Sequence, residues 1–394
     1  MDISSSTDQY ESWLAAELGS EILKKDLKKK RKEMAAGPFS FLRGTYWRWA
    51  EMMPSLCQKL DLGTAPHALA VGDIHLENFG TWRDEDGRLV WGVNDYDEAA
   101  EMPYLLDLVR LATSAAIARG DDHRDIAAVT EPLLDGYAKG LEKPRPCVLD
   151  GEPDEGSGIR PWLRQQAVVP EPERKEFWDK LERKRQKYAE DPAAPAPSQR
   201  YKKVLLASLP PGSEEPEIWH RRAGLGSLGR PRWVARAVWR GGLVVREAKA
   251  VIPSAWTRVD AGGGRTSRSV RCMEIATGRY RAPDPWYRAA DGIAVRRLSP
   301  NNRKLEAASG TSAVEEDSEA GRGLGLDILL DPKMLKAMGR ELASIHLGTG
   351  ESGYAIAEDL EDRGRDGSWL KHASTAAADA VWKEWCNFKN STAE

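Results

Sequence analysis

The stretch VGDIHLENFG, Val71 to Gly80, sets Asp73 and Asn78 five residues apart behind an apolar lead-in, and Asp95 follows in GVNDYDEA. Phosphoryl transfer asks for a carboxylate that orients or deprotonates an acceptor hydroxyl, and for oxygen ligands that hold magnesium on nucleotide phosphates. Asp73 is the candidate base, and Asn78 and Asp95 are the candidate metal ligands. An aspartate with an ordinary pKa of about 3.9 is ionised at neutral pH, so position matters more than tuning. His75 is expected to support the loop. Asp73, His75, Asp95 and Asp97 could also begin a binuclear phosphoesterase site, but that chemistry wants further histidines in a motif. His123, His220, His346 and His372 form none.

A nucleotide also needs a phosphate grip. Gly224, Gly226 and Gly229 in GLGSLG have G-x-G-x-x-G spacing ahead of a strand-like run. Within LVVREAKAVIPS, Lys249 sits late in that run, where it could reach the α and β phosphates, with Glu274 to orient it. Arg246 is its rival and points to the opposite face if the strand alternates. In GPFSFLRG, Arg43 could bind a phosphate, while Phe39 and Phe41 suit plain core anchoring equally well. The run Lys28 to Lys32 closes a helical stretch and reads as a solvated face. Trp233, Trp239 and Trp256 fall in strand-like sequence and read as packing residues.

The elements around these residues follow from pattern. The chain to about Met34 is helical, and a helix runs from Thr45 into the fifties. HALAVGD and Arg88 to Asn94 are predicted strands whose hairpin would bring Asp73 and Asp95 to one end. Pro103 to about Leu141 is helical, with Gly120 as a stop. Pro144 to Gly158 reads as a loop, Glu171 to Glu190 as a charged helix, and DPAAPAPSQR as a linker. Beyond Trp219, antiparallel strands turn at Gly241 and Gly242. DAGGGRTSRS is a predicted loop, Ala307 to Gly325 a mobile acidic segment, and the last third of the chain helical.

Length and composition set the frame. A chain of 394 residues exceeds what one core usually holds, so two lobes are expected. Acidic and basic residues nearly cancel, at a net charge of -3, which gives no reason to expect nucleic acid as a partner. Four dispersed cysteines without CxxC spacing point to a reducing, cytoplasmic setting, and no apolar run is long enough for a membrane span.

GDIHLENFG, NDYDEA and LLDLVRLATS together resemble the catalytic core of aminoglycoside phosphotransferases and choline kinases. With GPFSFLRG in front, the order is closer still to the bacterial domain of unknown function 2252 family, densely from Met34 to Ser114. The resemblance implies Asp73 as catalytic aspartate, Asn78 and Asp95 as metal ligands, Asp107 as the buried aspartate of the next helix, and ATP with magnesium as cofactors. Val71 departs from the phosphotransferase pattern, where a histidine often precedes Gly-Asp. Lys-x-x-x-Pro-Ser, ending at Pro253 and Ser254, favours Lys249 over Arg246. The glycine loop and lysine follow the catalytic loop instead of preceding it, and MGRELASIHLGTG resembles the helix that leads into that loop, so the implied fold is an α/β (α+β), two-lobed protein kinase-like fold in circularly permuted order. Its parts would be 1–150 (catalytic loop in the helical lobe), 151–218 (insertion), 219–300 (sheet-rich nucleotide lobe) and 301–394 (helices completing the first lobe). The expected function is phosphoryl transfer from ATP to a small-molecule or protein hydroxyl. Nucleotidyl transfer, or nucleotide binding without catalysis, is the alternative.

Overall fold

The computed structural model describes residues 1–120, 126–151, 158–259, 270–304, 325–350, 352–364 and 366–391. Four helices open the chain: α1 (Ile3–Leu18), α2 (Lys24–Ala35), α3 (Pro38–Gly44) and α4 (Tyr46–Leu60). Asp2 caps α1 by accepting from the Ser5 amide, and Pro38 starts α3 where no amide proton is missed. Thus GPFSFLRG forms a helix of its own.

Four short strands follow: β1 (His67–Ala70), β2 (Phe79–Arg83), β3 (Leu89–Val93) and β4 (Ala100–Pro103). β1 pairs antiparallel with β4, and β2 with β3. The predicted hairpin between HALAVGD and Arg88–Asn94 therefore does not form. The DEDG turn closes on the strand immediately before it, which the sequence pattern missed, because the shorter loop costs less entropy to close. β5 (Cys147–Val148) adds a third strand beside β3.

Helices α5 (Leu105–Ala118) and α6 (Ala127–Glu142) follow β4, and α7 (Ile159–Ala167) follows β5. α8 (Glu171–Glu190) and α9 (Gln199–Ser208) precede the larger sheet. That sheet comprises β6 (Glu214–His220), β7 (Arg232–Trp239), β8 (Gly242–Ala250), β9 (Arg288–Ala290) and β10 (Ile293–Leu298), all antiparallel, in the order β6-β7-β8-β10-β9. A one-turn helix, α10 (Cys272–Ala276), lies between β8 and β9 in sequence.

Strand alternation gives the sheet two apolar faces. Trp219, Val234, Val245 and Leu298 meet Leu181 of α8 on one face, with Phe177 and Trp178 packed alongside. On the other, Trp233, Ala235, Ala248, Ala250, Ile293 and Val295 meet Tyr201 and Leu205 of α9. α9 is not predicted from the sequence pattern, and only its first two residues fall in the predicted linker. The register aligns Glu247 with Val234 and Val245 with Leu298, so Lys249 shares the α8 face and Arg246 the α9 face.

The chain ends in α11 (Leu326–Leu329), α12 (Pro332–Gly348), α13 (Gly353–Asp362) and α14 (Ser368–Ser391). α12 packs on α6 and also touches β1 and α5, and α14 runs along α5. Gly136 and Gly339 permit the α6–α12 approach, since a Cβ on either would meet the other helix's backbone. One apolar core thus draws on both chain ends.

Among the described residues, no helix is long and apolar enough to cross a membrane. Residues 260–269, 307–324 and 152–157, which hold the predicted DAGGGRTSRS loop, the acidic segment up to residue 324 and part of the 144–158 loop, lie outside the described residues.

Candidate functional site

The loop after β1 is held by a carboxylate. Asp107, in the first turn of α5, accepts from the amides of Val71 at 2.7 Å and Gly72 at 3.0 Å. His346 of α12 places Nε2 3.1 Å from the same carboxylate and Nδ1 2.9 Å from the Tyr137 hydroxyl. All three side chains are buried. His75 Nδ1 accepts from the Glu77 amide at 3.2 Å, and Leu76 donates to Ser114 Oγ at 3.1 Å, so His75 does support the loop. Burial holds the His75 imidazole well below its usual range.

Asn78 joins the two chemical segments. Its Nδ2 donates to the carbonyls of Asp73 at 3.1 Å and Asp95 at 3.0 Å. With the amide nitrogen committed, Oδ1 is the end left to face a cation.

Asp73 is ion-paired with Arg110, a fully buried residue of α5. That guanidinium also donates to the Leu42 carbonyl at 2.9 Å and lies over the Tyr46 and Trp49 rings, 5.0 Å from each. Burial pushes the Asp73 carboxyl up to about 6, against the pull of Arg110 and with Glu98 adding repulsion. The aspartate is therefore tuned by its surroundings, contrary to the ordinary value expected from sequence. Arg43 stands on the cavity wall and is ion-paired with Glu77.

Lys249 meets both aspartates of NDYD: its Nζ lies 3.0 Å from Asp95 Oδ1 and 2.8 Å from Asp97 Oδ2. Burial works against ionisation of Asp95, yet Lys249 holds its carboxyl well below the usual range. Asp97 goes the other way, raised by burial and by the charge of Asp95. For Lys249, burial is outweighed by the two carboxylates, and its pKa rises.

Glu274 does not reach this lysine. It pairs with Arg271 at 2.7 Å, the residue just before the one-turn helix, and is half-exposed. A local partner and the two aspartates remove any need for the longer contact. The organising glutamate is Glu247, two residues before Lys249 on the same face. Fully buried, it pairs with Arg221, with Arg232 at 2.7 Å and with Arg296 at 2.9 Å. Arg232 in turn donates to Ser227 Oγ at 2.8 Å, which ties the glycine loop to the sheet.

That loop joins β6 to β7. Gly224 and Gly226 line a cavity with Asp73, Asn78, Asp95 and Asp97, whereas Gly229 backs onto Leu27 of α2. A Cβ on Gly226 would lie 3.2 Å from Asp73 Oδ2. Lys30, buried, donates to the Gly226 carbonyl at 2.6 Å and lies 5.0 and 4.9 Å above the rings of Tyr10 and Trp47. The lysine run is thus not wholly a solvated face. The cavity is about 40 Å³, room for a little water and far below a ligand pocket of roughly 300 Å³ or more. The glycine loop rests on Asp73. A neighbouring pocket shares Lys304 and is lined by Tyr96, Phe177, Tyr287, Arg296 and Leu298.

Several of these residues escaped sequence reasoning. Asp97 enters the sequence reading only as part of a binuclear site, and Glu247 was within its reach, standing two residues before Lys249. Arg110 and Lys30 were not: their partners lie 37 and 196 residues away. Among the described residues, no three His, Cys, Asp or Glu side chains converge as a metal set.

No curated protein matches the chain, and no solved structure matches it. Residues 23–146, from the residue before α2 nearly to β5, match the family described as an uncharacterized protein conserved in bacteria (DUF2252), and this stretch carries Arg43, Asp73, Asn78, Asp95, Asp97 and Arg110.

Proposed function

We propose that the chain is an ATP- and magnesium-dependent phosphotransferase with a two-lobed, kinase-like fold in circularly permuted order, acting on a hydroxyl of a small-molecule or protein acceptor. One observation carries the reading: Lys249, on the third strand of an antiparallel sheet whose first two strands are joined by a glycine loop, meets Asp95 and Asp97 beside the Asp73 loop. In kinase-like enzymes a glycine loop covers the phosphates, a lysine on the third strand contacts them, and an aspartate and an asparagine hold the metal. The rotated order is supported by His346, since α12 reaches the Asp73 loop through Asp107 although it lies near the other end of the chain.

Asp73 then orients and deprotonates the acceptor hydroxyl, and Arg110 fixes its carboxylate. Lys249 and the glycine loop, with Arg43 at the mouth, hold the phosphates. Asn78 Oδ1 and the Asp95 carboxylate, with Asp97 beside it, are hard oxygen donors that suit magnesium, which would neutralise phosphate charge there. The pocket lined by Tyr96, Tyr287 and Leu298 would take the nucleoside. Nucleotide entry requires the glycine loop to rise from Asp73, as lids over such sites do.

The test pairs binding with turnover. Asp73→Asn should retain magnesium-dependent ATP binding and lose phosphoryl transfer by about a hundredfold or more. Transfer at the wild-type rate in that variant would remove Asp73 from its role. Tight binding with no transfer by the wild type to any acceptor would favour a nucleotide-binding scaffold.

A further inference from the structure

The lysine run of α2 holds one side chain that the cleft chemistry does not use. Lys24, Lys25, Lys28 and Lys32 are exposed, whereas Asp26, Leu27 and Lys30 are buried. Leu23, Asp26, Leu27 and Lys30 recur at the spacing of one helical face, two turns or about 10 Å long. That face lies along the glycine loop and meets it at both ends and in the middle. Asp26 accepts from Arg222 Nε at 2.6 Å, where the chain leaves β6. Lys30 Nζ donates to the Gly226 carbonyl, also at 2.6 Å, at the centre of the loop. The Leu23 amide donates to the Gly229 carbonyl at 3.0 Å, and Gly229 is packed on Leu27 without room for a Cβ.

The contacts differ in what breaking them leaves. The Arg222 side chain is 40% exposed, so water can take the place of Asp26 beside it. Beyond Gly229 the chain is pinned again, because Arg230 pairs with the buried Glu98 at 2.6 Å. Lys30 is 2% exposed and stands over the stacked rings of Tyr10 and Trp47, so its bond to Gly226 is shielded from water. Hydrogen bonds from a charged donor in such surroundings are stronger than neutral ones in water. α2 is itself held from behind: Arg31 pairs with Asp8 and Glu11 of α1, at 2.8 Å each, and Trp385 of α14 donates Nε1 to the Ala35 carbonyl at 3.2 Å.

We propose that this face of α2 is a latch on the glycine loop, with Lys30 as its central contact, which keeps the loop seated over Asp73 and must release Gly226 before nucleotide phosphates enter. The inference rests on the nucleotide reading of the cleft. Gly226 is the residue at which the loop stands against the Asp73 carboxylate, and with the loop seated the cavity beneath it is about 40 Å³, with no room for a phosphate chain. Nucleotide affinity is then reduced by the fraction of molecules whose loop has risen, and weakening the latch raises that fraction. Lys30 acts through the loop and so positions it.

The experiment compares the full chain with Lys30→Met, which keeps an unbranched side chain against Tyr10 and Trp47 but loses the donor. Hydrogen exchange without nucleotide reads the loop itself. The amides of Ser227, Leu228 and Arg230, which donate to carbonyls within the loop, should exchange about tenfold faster or more in the variant, while those of β8 keep their protection. Titration with ATP and magnesium reads the latch: affinity should rise about fivefold or more, whereas damage to the fold would lower it. Arg222→Gln, which loosens the loop at its β6 end from outside the cavity lining, should shift both readings in the same direction by a smaller factor. Unchanged loop exchange in both variants would overturn the latch, and so would faster exchange with equal or weaker ATP binding than wild type. Faster exchange with no ATP binding by wild type or either variant would leave the latch standing and remove the nucleotide reading instead.

Discussion

His346 Nε2 lies 3.1 Å from Asp107 Oδ2, and the Asp107 carboxylate in turn holds the amides of Val71 and Gly72. A helix near the C-terminus therefore fixes the loop that carries Asp73. Asp107→Ala would strand two buried amide donors and the imidazole. With each unsatisfied buried group costing about 1–3 kcal/mol, the expected loss is about 3 kcal/mol or more. Urea denaturation measures it, and Asp107→Asn, which keeps one acceptor, should lose less.

Gly72 carries the loop at a φ of +79°, and a Cβ there would run into the Glu98 carbonyl oxygen and come within 2.7 Å of the Tyr46 hydroxyl. Gly72→Ala should cost about 2–5 kcal/mol, the left-handed penalty plus overpacking. Gly87 makes the comparison clean: at a φ of +77° with nothing within 4 Å, its alanine variant should pay only the backbone term, about 1–2 kcal/mol.

The Asp73 carboxyl, at about 6, sets the acid side of a pH profile. A base works ionised, so kcat/KM should rise with pH and level off above about 6, reporting the free enzyme. Arg110 favours the ionised form. Replacing it with methionine should move the limb to higher pH by about one unit or more, and a limb that stays in place would show that Arg110 does not tune the base.

Glu247 and Glu274 separate structural weight from sequence expectation. Removing the buried Glu247 carboxylate leaves Arg221, Arg232 and Arg296 without their shared partner, so Glu247→Ala should lose about 3–5 kcal/mol. Glu274→Ala removes one half-exposed pair with Arg271 and should change stability by less than about 1 kcal/mol. It should also leave nucleotide binding unchanged.

What the sequence revealed is local, and what it hid is not. Asp73 and Asn78 share one loop, the Gly241–Gly242 turn closes β7 on β8, and the charged run Glu171 to Glu190 is the helix expected of it. The β1–β4 pairing spans a whole intervening hairpin, so alternation alone assigned β1 the wrong neighbour. Arg110 reads as one polar residue in an apolar helix until tertiary packing aims it at Asp73. Lys30 hides in a lysine run for the same reason, because only folding brings the Gly226 carbonyl to it. The Glu274 expectation failed since it took a short helix for an orienting one, and NDYD, through Asp97, already held the acid that Lys249 uses.

The most direct measurement is calorimetric titration of ATP, with and without magnesium, into wild-type protein and Lys249→Met. The expected result is magnesium-dependent binding by the wild type, weakened at least tenfold in the variant, because the phosphates lose the lysine that Asp95 and Asp97 hold in place. Absence of magnesium-dependent binding in the wild type, or equal affinity in Lys249→Met, would contradict a nucleotide site in this cleft.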